Sequence, residues 1–282
     1  MIDYREALSQ HKNAFLGKET FVMWATPLAI FKPISLTDME KVQLQNRFDR
    51  KFCIPREKLS DILLDVHVQY YLLNIQGITA QWYETIYYDT PENSMYLSHH
   101  NGKQNRYKIR KRIYHVSNLV FLEIKIKNNK GRTVKKRLQT DNLTSTLNEQ
   151  ESKFILRHTP FQPRQIKPVM ENSFRRITLV SRAFNERSTI DTDLMFSGPD
   201  KNQKISEVAI IEIKAGERLI HSPLYQALKK CRIHEVGFSK YCIGRALLDK
   251  SLKQNNFKRK IRTLQKLNSR NYYMDSYCAI GG

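Results

Sequence analysis

The chain has 282 residues, 40% of them hydrophobic, with 48 Lys plus Arg against 27 Asp plus Glu and a net charge of +21. That apolar content supports a sizeable core and argues against global disorder, and the length suits one large barrel domain or two small ones. The cationic excess predicts an anionic partner, whether nucleic acid, a phosphate polymer, a nucleotide or an anionic membrane surface.

Residues 1–45 show no clean period; 21–31 form an apolar, Pro-interrupted patch. The run Phe21-Val22-Met23-Trp24-Ala25 falls far short of the about 20 apolar residues that span a bilayer. Charges precede any apolar run, so no signal peptide and no transmembrane segment are expected, and the chain reads as cytoplasmic. Residues 46–52 alternate like a strand. Pro55 then opens a predicted helix to about Leu73, with Leu59, Ile62, Leu63, Val66 and Tyr70 at helical spacing. A strand is predicted over 82–89 and a tight turn over 99–102, which places His99 and His100 in solvent rather than on a metal. Strands follow over 106–114 and 119–127, a hairpin turn at Asn128-Asn129-Lys130-Gly131, and a return strand over 132–139.

A helix is predicted over 144–157, capped by Thr144, and Pro160, Pro163 and Pro168 mark a loop. Strands near 175–182, 187–193 and 208–214 come next. Ser222-Pro223 starts a helix to about Cys231, a further helix covers 239–252, and 253–270 is a basic, weakly amphipathic tail before a frayed end. Cys53, Cys231, Cys242 and Cys278 are not spaced as a zinc knuckle or a redox pair, so they read as idle thiols.

The strands from 106 to 214 share one pattern. Side chains alternate across a strand, so Lys108, Arg110 and Arg112 share a face, as do Glu123, Lys125 and Lys127, and Glu212 with Lys214. Each charged face is backed by an apolar one. Many cations mixed with few carboxylates, strand after strand, suit an α+β fold in which about eight antiparallel strands close into a barrel, with helices outside and a charged tunnel within. Crowded cations repel one another and lose hydration, and a phosphate chain relieves that cost. Carboxylates opposite the cations suit a hard divalent ion.

In order, Arg47-Phe48-Asp49-Arg50-Lys51-Phe52, Ile109-Arg110-Lys111-Arg112, Phe121-Leu122-Glu123-Ile124-Lys125, Lys135-Lys136-Arg137, Ile211-Glu212-Ile213-Lys214 and Phe238-Ser239-Lys240-Tyr241 resemble the VTC (vacuolar transporter chaperone) domain. That family belongs to the triphosphate tunnel metalloenzymes, relatives of the CYTH phosphatases. The resemblance spans roughly 45–250. It divides the chain into an N-terminal extension (1–45), a tunnel domain (46–250) and a basic tail (251–282). It implies a polymerase that moves the γ-phosphate of ATP onto polyphosphate.

By the same resemblance Lys51 is the early tunnel lysine, Arg110 and Arg112 grip phosphate, and Lys125 and Lys135 are later tunnel cations. Arg182 and Arg187 match two further arginines, Glu212 the metal-binding glutamate and Lys240 the last lysine of the tunnel mouth. Two positions depart from the pattern: Val180 stands where a Tyr is common, and Gly237 where the eukaryotic members carry a second lysine.

The expected catalytic residues are therefore Arg110, Arg112, Lys125, Arg182 and Glu212, with Lys51, Lys135, Arg187, Lys214 and Lys240 also binding substrate. Glu212, helped by Glu123 or Asp191, would hold Mn²⁺ or Mg²⁺. ATP, triphosphate and polyphosphate are the expected partners. If water attacks instead, the same site is a triphosphatase. A non-enzymatic polyanion or nucleic-acid binder is the alternative of another class, but no nucleic-acid module is recognisable.

Overall fold

A computed structural model describes residues 27–42, 48–130, 132–216 and 219–269. The expectations for 1–26, Arg47, Gly131, Cys278 and 270–282 lie outside the described residues. No helix among those described is long and apolar enough to cross a membrane.

The strands are β1 (Lys32–Ile34), β2 (Phe48–Pro55), β3 (Tyr70–Leu73), β4 (Ala80–Asp89), β5 (Arg106–Tyr114), β6 (Leu119–Lys127), β7 (Thr133–Thr140), β8 (Lys167–Ser181), β9 (Glu186–Ser197), β10 (Asn202–Ile205) and β11 (Val208–Ala215). The helices are α1 (Leu36–Met39), α2 (Leu59–Val66), α3 (Ser94–His100), α4 (Glu149–His158), α5 (Pro223–Lys230), α6 (Lys240–Leu248) and α7 (Lys258–Asn268). One sheet runs in the order β2-β11-β9-β8-β4-β5-β6-β7, antiparallel throughout that path. β3 and β10 branch from β8 and β9, and β1 runs parallel to β3.

The fold is therefore α+β with a large antiparallel sheet, but the expected closed barrel does not form. Among the described residues no pairing joins β2 to β7. The reason is local to the β2 edge. Phe52 bridges to Glu235, and the Val236 amide donates to the Lys51 carbonyl at 2.8 Å. The groups that closure would need are thus taken by the segment that leads into α6. The result is a curved trough.

The alternation decides what each face meets. Phe52, Ile54, Ile190, Ile211 and Ile213 pack under α2 and α5, which bury Leu59, Ile62, Leu63, Leu224 and Leu228. Ile109, Leu122 and Ile124 join Ile155 of α4 in a second cluster that extends to α6 and α7. On that side Lys111, 1% exposed, donates to Glu151 at 3.0 Å and to the Thr146 carbonyl, so its charge is structural. Gly244 lets α6 lie close: a Cβ there would run into Met170 and Phe196.

Several predicted elements differ: Pro168, expected in a loop, lies in β8, which starts at Lys167 because it pairs along β4, and the tail contains α7. The helix from Pro55 ends at Val66, and Tyr70–Leu73 is a strand because it pairs with β8. α4 starts at Glu149, capped by Asn148, whose side chain accepts from the Glu151 amide while Glu151 accepts from the Asn148 amide. That reciprocal bonding outcompetes a Thr144 cap. His99 and His100 belong to α3, and His100 is 3% exposed with Nε2 accepting from the Asn256 amide. Ser222 and Ser239 cap α5 and α6 as expected.

Candidate functional site

Residues directly opposite on neighbouring strands share a face, so the register fixes what lines the trough. Lys51 lies opposite Glu212, which lies opposite Thr189 and then Thr178. Asp191 lies opposite Arg176. Across the sheet Thr85 lies opposite Arg112, Arg110 opposite Glu123, and Lys125 opposite both Lys108 and Lys135.

Four carboxylates stand along this face: Asp49 lies exposed at the mouth opposite Lys214, and the other three each stand between two cations. Glu123, 2% exposed, takes a hydrogen bond from Arg110 Nε at 2.7 Å and is paired with Lys135. Asp191, 3% exposed, accepts Arg176 Nε at 2.6 Å and Nη2 at 2.8 Å, and pairs with Lys240. Glu212 is held by Lys51 and, at 2.5 Å, by Lys214. Burial alone would raise all three carboxyls. The cations overcome it, Arg110 and Lys135 at Glu123, Arg176 and Lys240 at Asp191, Lys214 and Lys51 at Glu212, and hold each well below the usual carboxylate range.

The lysines respond to the same crowding. Burial, above all, pushes Lys108, Lys214 and Lys240 down to about 8. Lys125 is lowered too, by burial and then by the charge of Lys51. Arg112 donates to Thr85 Oγ1 at 2.9 Å, and its guanidinium lies 5.3 Å from the Phe174 ring centroid, with Arg176 at 5.2 Å on the same ring. Lys240, at the first turn of α6, sits 4.3 Å from that ring. An aromatic floor thus supports the cations without neutralising them.

At one mouth of the trough a pocket of about 430 Å³ is lined by Lys51, Lys108, Lys125 and Lys127 from three strands, with Ser239 and His99. Lys108 donates to Ser239 Oγ at 3.0 Å. Burial and the nearby charges of Lys108, Arg106 and Lys260 push His99 down to about 2, so its imidazole is neutral.

A VTC domain profile matches residues 46–249. The chain belongs to the VTC domain family. Comparison with curated proteins gives no match. Among solved structures, an adenylyl cyclase candidate from Hippeastrum, described as revealing a dominant triphosphatase activity, is 13% identical with TM-score 0.46, covering 71% of this chain and 96% of that one. An adenylate cyclase candidate from Bacillus halodurans is 15% identical with TM-score 0.43, covering 68% and 92%.

In this VTC domain Lys51, Arg110, Arg112, Glu123, Lys125, Lys135, Asp191, Glu212, Lys214 and Lys240 come together on the trough face. Arg187 lies opposite Lys214, next along from Glu212. Arg182 does not join them. It is exposed beyond β8, with its guanidinium 5.6 Å from the Tyr71 ring. The inward arginine of β8 is Arg176, which the sequence reading missed. Its signal was present: Phe174 stands two positions before it, supplying the aromatic that Val180 fails to supply before Arg182. Lys108 was placed on the correct face but not counted as a site residue.

Among the described residues no group of three His, Cys, Asp or Glu converges as a metal site. Glu123 and Asp191 are each gripped by an arginine through an Nε and an Nη. Glu212 is held by two lysines, mobile single-point partners that can turn away. The donor set thus fits a hard ion that takes one carboxylate and completes its shell with phosphate oxygens and water, as Mg²⁺ commonly does.

Proposed function

We propose that this VTC domain is a metal-dependent polyphosphate polymerase that moves the γ-phosphate of ATP onto a phosphate chain lying in the trough. What carries the reading is a face on which cations outnumber carboxylates, so that among the described residues Lys108 and Lys125 lie there without an ion pair while Glu123, Asp191 and Glu212 are each taken, and on which burial depresses Lys108, Lys214 and Lys240 to about 8. Unpaired, half-desolvated cations are unfavourable until a polyanion arrives.

Phosphoryl transfer asks for positioning and charge neutralisation. Arg110, Arg112 and Arg176 present planar guanidiniums to phosphate oxygens, while Lys51, Lys108, Lys125, Lys135, Lys214 and Lys240 supply movable point charges. Arg187 adds a cation next along from Glu212. Mn²⁺ or Mg²⁺, held by Glu212 and phosphate oxygens, would neutralise charge on the transferring group. Glu123 and Asp191 keep their arginines aimed. The acceptor oxygen of a phosphate chain is already anionic, so no general base is needed. A second reading, a triphosphatase, is favoured by the absence of pairing between β2 and β7 among the described residues, since an unsealed wall admits water.

Incubation with γ-labelled ATP and Mn²⁺ separates the two. A ladder of long anionic polymer with ADP establishes the polymerase. Free phosphate without a ladder establishes the triphosphatase. No consumption of ATP rejects both.

Binding should also depend on pH with a definite sign. Below about 8, Lys108, Lys214 and Lys240 are protonated in the free protein and affinity for tripolyphosphate is flat. Above it each must take up a proton to bind, so affinity falls as pH rises from about 8 to 10, by about tenfold or more per unit once the lysines are neutral. Calorimetric titration at fixed ionic strength checks this. A flat profile across that range would remove these lysines from the binding face.

A further inference from the structure

α7 begins beyond residue 249, where the VTC match ends, yet it reaches the mouth of the trough. Its register is set by burial: Phe257 just before it, then Ile261 and Leu264, are sunk in the core. With that stripe anchored, Lys258, Arg259, Arg262 and Lys266 face outward, whereas Lys260 turns into the mouth pocket beside Lys51, Lys108, Lys125 and Lys127. Its ammonium lies 5.9 Å from the Phe257 ring centroid. No ion pair holds it among the described residues, and Glu235, a pocket carboxylate, is taken by Arg50 at 3.0 Å. The charge of Lys260 is felt by Cys53 on one wall and by His99 on the other.

Gly237 explains how that side chain fits. A Cβ at 237 would stand 3.2 Å from Lys260 Nζ and 3.8 Å from its Cε. The ammonium therefore occupies the space that a side chain at 237 would enter. This is also the position at which the resemblance expects a lysine and finds glycine.

We propose that Lys260 is a phosphate-chain-binding residue of the mouth pocket, delivered by a helix outside the matched domain into the space left by Gly237. The ligand class is a linear polyphosphate anion, and the inference rests on the polyanion reading of the trough. Glycine at 237 and lysine at 260 form one exchangeable unit: the charge is kept while the element that carries it changes. A basic helix otherwise read as a solvated tail thus becomes part of the binding wall.

The test is titration of the full chain with tripolyphosphate, without metal, at fixed low salt. Lys260→Met keeps the aliphatic stem over Phe257 and removes the charge. It should weaken binding by about tenfold, the size of one charge-assisted hydrogen bond. Lys260→Arg should bind within about threefold of the parent. The decisive variant combines Lys260→Met with Gly237→Lys. The backbone at 237 is not left-handed, so a side chain is tolerated once the ammonium is gone, and affinity should return to within about threefold of the parent. Unchanged binding by Lys260→Met overturns the proposal. So does failure of Gly237→Lys to restore binding in a double variant that melts with the parent, because the charge would then act through helix packing. If the parent itself does not bind tripolyphosphate, the polyanion reading falls first and takes this inference with it.

Discussion

Glu212→Gln should lose turnover by about a thousandfold or more while tripolyphosphate binding stays within about threefold of the parent. The side chain is nearly isosteric, and its remaining oxygen still accepts from Lys51 or Lys214. What disappears is a negative charge. For a polyanion that loss is neutral or mildly favourable, since one carboxylate fewer faces the phosphates. For a divalent ion it removes the protein donor best able to move, and metal stabilisation of a transferring phosphoryl group is worth several kcal/mol. Single-turnover assays with labelled ATP, beside calorimetry with the same protein, separate the two effects. Equal turnover in the variant would end the metal assignment. A parallel collapse of binding would mean that Glu212 instead organises the lysines.

Arg176→Ala should destabilise the fold markedly. Asp191 is 3% exposed and keeps its charge through two bonds from Arg176. Removing the arginine leaves the carboxylate with Lys240 alone, and since a fully orphaned buried charge costs roughly 3–5 kcal/mol, the loss should approach the lower end, about 3 kcal/mol. For a chain of this size that lowers Tm by about 10 °C. Adding Asp191→Ala should recover part of the loss, because no buried carboxylate is then left under-compensated and only Lys240 loses a partner, and the double-mutant cycle should show strong coupling. Additive effects, or an unchanged Tm for Arg176→Ala, would show that the pair is not the anchor inferred. Activity should also fall, since Arg176 shares the Phe174 ring with Arg112 and Lys240.

Much of this is legible in the sequence alone. β5 and β6 were bounded correctly because strict alternation of cations with Ile109, Leu122 and Ile124 leaves one register that buries the apolar set. The caps at Ser222 and Ser239 were equally local. The failures were non-local. Tyr70 continues the helical spacing of α2, and only pairing with β8 makes it a strand. Arg175 and Arg176 are adjacent, so one must face each way. A register shift between Ser173 and Arg175 helps decide which, and alternation counted from outside the strand cannot see it. The closed barrel failed for the same kind of reason, since the β2 edge is capped by residues more than 180 positions later. The tail could not be recognised as a wall of the pocket until Ile261 and Leu264 fixed which way Lys260 turns.

The unsealed seam carries a mechanical consequence. Most neighbouring strands here are riveted by main-chain hydrogen bonds, which are short and tolerate little sliding. Between β2 and β6 the pocket is spanned instead by ammonium groups that repel, with Lys51 and Lys125 close enough to feel one another. On the proposed reading, a phosphate chain settling between those lysines would neutralise that repulsion. Cargo and clasp would then be the same object, since the repulsion that holds the margins apart is what the bound chain removes.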